Sequence, residues 1–307
     1  MAIVSTSTSA FYERARAGMK DLRSQAETLQ AQLGSGQKLT RSSDDPVAAA
    51  RLRTLSRLES LSTIDKTNAN RANADLTLAD SAMSNMSNSI IRAQELATQA
   101  ASTTLTHSQR AGIAEELAQI HDDLYALANS RDSSGHALFG GNNTGNAYTL
   151  DAGGNAQYIG SNTSAELPIG DGQSVTRSMT GRQLFNFTDA NGNDTDVMAT
   201  IKTLAAALTS GTADPAAAAN DALGSLKTGL DTLSTAQTVV GTRLAWLDVV
   251  SERRTSLSEL RSTEEADLGG TDIASTVAQL QQTLTVLEAS QASFTKLSGL
   301  SLFDNLR

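Results

Sequence analysis

Three histidines, His107, His121 and His136, are the side chains of this chain best suited to metal or proton chemistry. None has the spacing of a metal site, so they are expected at the surface or at helix ends. Two carboxylate pairs, Glu115-Glu116 and Asp122-Asp123, fall on the polar side of a helical stretch. Acid–base work by such a pair needs a cleft and a perturbed environment, and a solvated helix face is expected instead. Asp189-Ala190-Asn191-Gly192-Asn193-Asp194 resembles a calcium loop only faintly. That loop wants glycine at position six and glutamate at twelve. Here the glycine comes fourth and Thr200 stands twelfth, which reads as a turn. Gly34-Ser35-Gly36-Gln37-Lys38 lacks the spacing of a phosphate-binding loop. No Ser-His-Asp arrangement is legible. The expectation is a protein that is not an enzyme, with no catalytic residue, no metal site and no cofactor.

Composition points the same way. A net charge of -9 and a pI of about 4.9 over 307 residues argue against nucleic acid and give no basic patch for a membrane surface. Aromatics are only 4%, which suits close-packed helices better than a large mixed enzyme core. There is no cysteine, hence no disulfide framework and no thiolate site. No run approaches the roughly 18–20 apolar residues of a membrane span. Met1 to Ala10 is polar and does not read as a conventional secretory signal. Taken naively, that predicts a cytoplasmic protein.

With no chemistry to position, the elements themselves carry the information. The C-terminal stretch spaces Ile273, Val277, Leu280, Leu284, Leu287, Gln291 and Phe294 as a heptad seam. Between Ile273 and Ser298 the only charged residues are Glu288 and Lys296. A helix with an apolar seam and so few charges is expected to be covered on both sides. A first helix, about residues 9–33, carries a matching seam of Tyr12, Ala15, Met19, Leu22, Ala26, Leu29 and Leu33, and Gly34-Ser35-Gly36 ends it. Asp45 and Pro46 then suit the N-cap and first position of a second helix. That helix runs to about Ser102, a span of about 80 Å. Its later seam is Ala69, Ala72, Leu76, Ala79, Met83, Met86, Ile90, Ala93 and Ala97. Leu52, Leu55, Leu58 and Leu61 lie in another phase, so a register shift is expected near residues 62–68. A third helix uses Ile113, Leu117, Ile120, Leu124 and Leu127 and should pack antiparallel on the second.

From Ser133 glycine and asparagine rise and short alternating runs appear, with Gly153-Gly154-Asn155 and Asp171-Gly172 between them as turns. Helices resume at Val197. A long helix from Ala216 to Arg261 follows, with Leu223, Leu226, Leu230, Leu233, Gln237, Val240, Leu244 and Leu247 in its seam, and a break is expected at Glu264 to Gly270. The fold class is therefore mainly α: a long antiparallel coiled-coil rod of N- and C-terminal segments with a small inserted β-rich domain at its tip. The expected divisions are residues 1–43 and 264–307 as a terminal coiled-coil assembly domain, 44–140 and 196–263 as the helical rod, and 141–195 as the inserted outer domain.

Leu33-Gly34-Ser35-Gly36-Gln37-Lys38-Leu39-Thr40-Arg41-Ser42-Ser43-Asp44-Asp45-Pro46-Val47-Ala48-Ala49 resembles the bacterial flagellin-like family. Proline after the paired aspartates, Leu138-Phe139-Gly140-Gly141 and the tail Leu300-Ser301-Leu302-Phe303-Asp304-Asn305-Leu306 are similar to its hook–filament junction members. Val240-Gly241-Thr242-Arg243-Leu244 resembles the family's return helix. Ala2-Ile3-Val4-Ser5-Thr6 departs from it in lacking a basic residue, which leaves a filament flagellin as the other reading. The resemblance implies a structural protein of the flagellum that joins hook to filament. It implies export through the flagellar apparatus without a cleaved signal, a cytoplasmic export chaperone, and an extracellular destination. The implied partners are copies of itself, the proximal junction protein and flagellin. Its termini would fold on assembly, through an interface of Tyr12, Met19, Leu22, Leu29, Leu33, Leu280, Leu284, Leu287, Phe294, Leu297, Leu300 and Phe303.

Overall fold

The computed structural model describes the backbone of residues 2–39, 41–190, 192–210 and 214–304, and the side chains of these from 9 to 297. The elements in order are α1 (Ala2–Ser35), α2 (Pro46–Ala100), α3 (His107–Ala128), β1 (Tyr148–Leu150), β2 (Ala156–Tyr158), β3 (Glu166–Gly170), β4 (Gln173–Thr176), α4 (Gly181–Phe185), β5 (Asn186–Thr188), β6 (Asp194–Asp196), α5 (Val197–Thr209), α6 (Pro215–Gly269) and α7 (Ile273–Asp304). The chain is mainly α with a small β-rich insert, as its periodicity implies. It divides into two compact units, Met1–Ser60 with Ser256–Arg307, and Leu61–Thr255.

Helix ends are set where the sequence places them. Asp45 Oδ1 accepts from the Val47 and Ala48 amides at 3.1 and 3.0 Å, and Pro46 opens α2. Thr106 and Gln109 form a capping box on α3. Asp214 and Asp272 accept from the first amides of α6 and α7. Two boundaries differ from expectation. Helix α1 begins at Ala2 rather than near Ser9, and α6 does not break at Glu264 but continues to Gly269. Glu264 is spent on a lateral ion pair with Arg51, and only the paired glycines Gly269-Gly270 stop the helix.

The second unit has the deep core. One column of α2 recurs every seventh residue, Ala69, Leu76, Met83, Ile90 and Ala97, and all five are buried. The same column continues toward the start of α2 through Ser62 and Leu55 without a break. Leu58 and Leu61, expected in a seam of another phase, are instead 38% and 48% exposed. A polar residue at a seam position, Ser62, hides the continuity from a hydrophobic pattern. Helix α3 runs antiparallel to α2, with Glu116 on Arg92 at 2.7 Å and Asp123 accepting from Ser89 at 2.9 Å. Glu115, Asp122 and Asp123 are exposed and Glu116 half-buried, and Glu116 and Asp123 tie α3 laterally to α2. His121 is the exception to the surface expectation, for it turns inward with Leu117 and Leu124. Helix α5 packs closely on α3.

The insert is three separate two-stranded antiparallel hairpins. Asp171 and Gly172, both at positive φ, close β3–β4 as a two-residue turn. The other two hairpins repeat one device. In each, a leading aspartate, Asp151 or Asp189, accepts on Oδ1 from the amide of the asparagine four residues on. The calcium-like segment is thus a turn, in which Asp189 accepts from Asn193 and Asp194 accepts from Thr188. The insert does not stand at a tip. Asn68 donates to the Pro168 carbonyl at 2.8 Å, Arg254 donates to the Ile169 carbonyl, and Arg253 pairs with Asp171 at 2.7 Å. These contacts fall far along α2 and α6 from Ala100 and Pro215, so the hairpin lies against the helices. Its Tyr148, Ile169, Val175, Phe185 and Phe187 join the helical core. Gly229 makes room for this, since a Cβ there would strike Val197 and Phe187.

One ionic cluster locks the insert down. Arg177 Nη2 meets Asp132 at 2.8 Å, and its Nε stands 3.2 Å from Asp75 on α2, too poorly angled for a hydrogen bond. Burial pushes the Asp75 carboxyl above its ordinary range, against the pull of Arg177. Burial also opposes ionisation of Asp132, but amides of His136 and Ser134 and the Arg177 charge outweigh it and hold that carboxyl below the usual range. The raised Asp75 costs stability as pH rises through its folded pKa, whereas Asp132 contributes stability that is lost only as pH falls through its own. Removing the cation leaves two buried carboxylates facing each other. Arg177→Met is expected to lower the stability of this unit by about 3–5 kcal/mol at pH 7. The deficit should shrink toward pH 5 as Asp75 takes up a proton. Denaturant titration followed through Trp246, the sole tryptophan, reads this directly. A deficit that stays equal at both pH values contradicts it.

Candidate assembly interface

In the first unit α1 and α7 run antiparallel along each other. Tyr12 stacks edge-to-face on Phe294 with centroids 5.4 Å apart, and its hydroxyl donates to the Leu297 carbonyl at 3.3 Å. Exposure on α1 is reduced at Tyr12, Ala15, Met19, Leu22, Ala26, Leu29 and Leu33, the full heptad column read from sequence, and also at Ala10 and Gln32 beside it. Of these only Ala26 is buried.

On α7 the covered column differs from the one hydrophobicity selects. It comprises Thr276, Leu280, Thr283, Leu287, Ser290 and Phe294. Leu280, Leu287 and Phe294 are shared with the expected seam. The rest of that seam is uncovered: Ile273 is 64% exposed, and Val277 and Leu284 are each 37% exposed. Leu297 and Val286 are open as well. The side chains of Leu300 and Phe303 lie outside the described residues. Small hydroxyl residues let the two backbones approach, so α1 covers one edge of the apolar stripe and leaves the other edge bare.

The pair is tied at one end by a short backbone clip. Gln37 and Gly270 form an isolated antiparallel bridge, with Lys38 N donating to the Gly269 carbonyl at 2.8 Å and Thr271 N to the Gly36 carbonyl at 3.0 Å. Gly36, at φ +69, reverses the chain into this bridge. The glycine-rich segment is therefore a structural joint. Next to it, Arg51 grips Glu264 with both forks, Nε to Oε1 at 2.6 Å and Nη2 to Oε2 at 2.8 Å. That fork holds the Glu264 carboxyl below its ordinary range. Among the described residues no three histidine or acidic side chains are placed to share a metal ion, and no helix is long and apolar enough to cross a membrane.

With the paired chain ends, the heptad seams and the insert placed, residues 6–144 match the family model described as the bacterial flagellin N-terminal helical region. The resemblance extends over nearly the whole chain to flagellar hook-associated protein 3. It is 28% identical to that protein from Escherichia coli (strain K12), over 97% of this chain and 98% of the relative. The same protein of Salmonella typhimurium (strain LT2) is 28% identical with the same coverage. In fold, the chain is similar to a solved candidate flagellar hook-associated protein from Vibrio parahaemolyticus, with a TM-score of 0.68 at 21% identity, covering 74% of this chain and all of that one. Sequence reasoning missed the Thr276–Thr283–Ser290 column and the clip. A seven-residue repeat of small polar residues beside Leu280 and Leu287 was the available signal for the first.

A Cβ on Gly270 would press into the Ala266 carbonyl. Gly270→Ala should therefore loosen the clip and speed amide exchange at Lys38 and Thr271 by roughly tenfold, the worth of about one hydrogen bond. Exchange at α2 residues 76–97 should stay the same. Unchanged exchange at Lys38 and Thr271 would show that the bridge does not hold the joint.

Proposed function

We propose that this protein joins the flagellar hook to the flagellin filament by assembling with copies of itself through its terminal helices. The observation that carries the reading is the contrast in burial. Leu76, Met83, Met86 and Ile90 are fully buried in the second unit, whereas Leu284, Val277 and Ile273 on α7 remain open to solvent. An apolar stripe half covered within one chain is completed by neighbours. A contact of this kind is heterologous and, repeated without closing, builds a helical array. In this reading Tyr12, Met19, Leu22, Leu29 and Leu33 with Leu280, Leu284, Leu287, Phe294, Leu297, Leu300 and Phe303 form an inner layer.

Residues 1–43 and 264–307 make up that assembly domain, 44–140 and 196–263 the helical rod, and 141–195 the inserted β-rich outer domain. The layer meets the proximal junction protein on one side and flagellin on the other. The chain reaches its place through the flagellar export apparatus, held beforehand by a cytoplasmic chaperone. The likeness to hook-associated relatives over nearly the full length supports this placement over a filament flagellin.

Because Leu284 is already 37% exposed, placing a charge there costs the lone chain little. Leu284→Asp should change the Trp246 unfolding transition by no more than about 0.5 kcal/mol. It should nevertheless remove the protein from isolated flagella and abolish motility. Normal motility with the variant incorporated contradicts the reading.

A further inference from the structure

Residues 46–60 of α2 and 256–269 of α6 form a two-helix segment of the first unit. Its inner face is settled: Leu55 is 2% exposed, Arg51 grips Glu264, and Glu59 accepts from Ser258 at 2.9 Å with Arg261 3.9 Å away. The remaining charges sort by helix. On α2, Arg53 and Arg57 are exposed, and neither makes an ion pair among the described residues. Arg57 stands two residues from the buried Leu55, about 160° around the helix and so turned away from α6, while Arg53 borders a groove that Glu265 of α6 also lines. On α6, Glu259 stands two residues before Arg261, about as far around. Glu259 and Asp267 are exposed and likewise without a basic partner among the described residues. The back of one helix is thus basic and the outer surface of the other acidic. Leu58, Leu257 and Leu260 lie exposed among them, at 38%, 37% and 67%.

Such a segment cannot satisfy its own back faces, because they point in opposite directions. A second copy can. We propose that this segment is a lateral interface between copies of the chain: the Arg53–Arg57 face of α2 in one copy lies against the Glu259–Asp267 face of α6 in the next. Leu58, Leu257 and Leu260 supply apolar area to the same contact. The inference rests on the self-assembly proposed above but concerns a different surface from the terminal helices. Opposite charges on two different patches make the contact heterologous, with the same relation repeated from copy to copy. Complementary charge fixes register and rejects the reversed arrangement, where like charges would meet.

The absence of native cysteine makes the test clean. Within one chain, residues 57 and 259 face opposite ways on helices packed about 8–10 Å apart. Their Cα atoms are therefore beyond the roughly 7 Å that a disulfide spans. The full chain bearing Arg57→Cys and Glu259→Cys, expressed in place of the native protein, is oxidised in isolated flagella and run without reductant. A ladder of dimers and higher species, absent from either single-cysteine chain, is expected. In parallel, Arg53→Glu with Arg57→Glu should cut incorporation about tenfold or more, and adding Glu259→Arg with Asp267→Arg to the same chain should restore it. A double-cysteine chain that incorporates yet yields no ladder overturns the lateral contact and leaves the junction reading intact. Charge reversal without effect on incorporation also overturns it. Absence of the native chain itself from the flagella overturns both.

Discussion

One helix can cover only part of another helix's apolar stripe, and the two units of this chain differ in how they meet that limit. A stripe in a globular helix spans 100° or more, while a single neighbour screens a narrower seam. In the second unit α2 is surrounded: α6, α3, α5 and the insert contribute to one core, and Met83, Met86 and Ile90 disappear from solvent. Each large side chain buried this way contributes about 1.5–3 kcal/mol. In the first unit α1 and α7 have only each other, and no large side chain of either reaches full burial among the described residues. Helices so sparsely supported are marginal in water. In the function proposed above self-association completes this core, and the same shortage accounts for Thr and Ser in part of the covered column.

The insert strengthens the unit that does not need completing. Its hairpins are too small to be stable alone, since a two-stranded ribbon is marginal in water. They are held instead by what lies beneath: Arg254 and Asn68 take the carbonyls of β3, Arg177 bridges to Asp75 and Asp132, and Asn129 at the end of α3 accepts from the amides of Ala147 and Tyr148 at 3.0 Å each. The aromatic cluster of Tyr148, Tyr158 and Phe185 completes the anchoring. Most of the largest fully buried side chains among the described residues therefore lie in this unit.

Much of this was legible in the residues, and the misses have particular causes. The α2 column from Ala69 to Ala97, the Asp45-Pro46 start and the Asp171-Gly172 turn follow from local rules that tertiary contacts did not override. The α1 column was fully legible because its other face is charged, which leaves one choice of seam. On α7 nearly every residue is uncharged, so two neighbouring columns compete; apolar character favours Ile273 and Val277, while close backbone approach favours Thr276 and Thr283. His121 was misread because a polar residue beside an apolar seam reads as a surface position, whereas it is buried with Leu117 and Leu124 of the same helix. The insert's position was misread for a similar reason: alternation marks Leu167 and Ile169 as strand, but only Asn68 and Arg254, far along the chain, say where that strand lies. Glu264 looked like a helix breaker's neighbour because its partner Arg51 is 213 residues away.

The central claim is that the terminal helices owe their order to neighbouring copies. Amide hydrogen exchange along residues 9–33 and 273–297, compared between the dilute isolated chain and the same chain in assembled flagella, measures that dependence. The account predicts rapid exchange in the isolated chain, alongside strong protection of α2 residues 76–97, and slow exchange of both terminal segments after assembly. Slow exchange of the terminal segments in the dilute chain, matching that of α2, would contradict it.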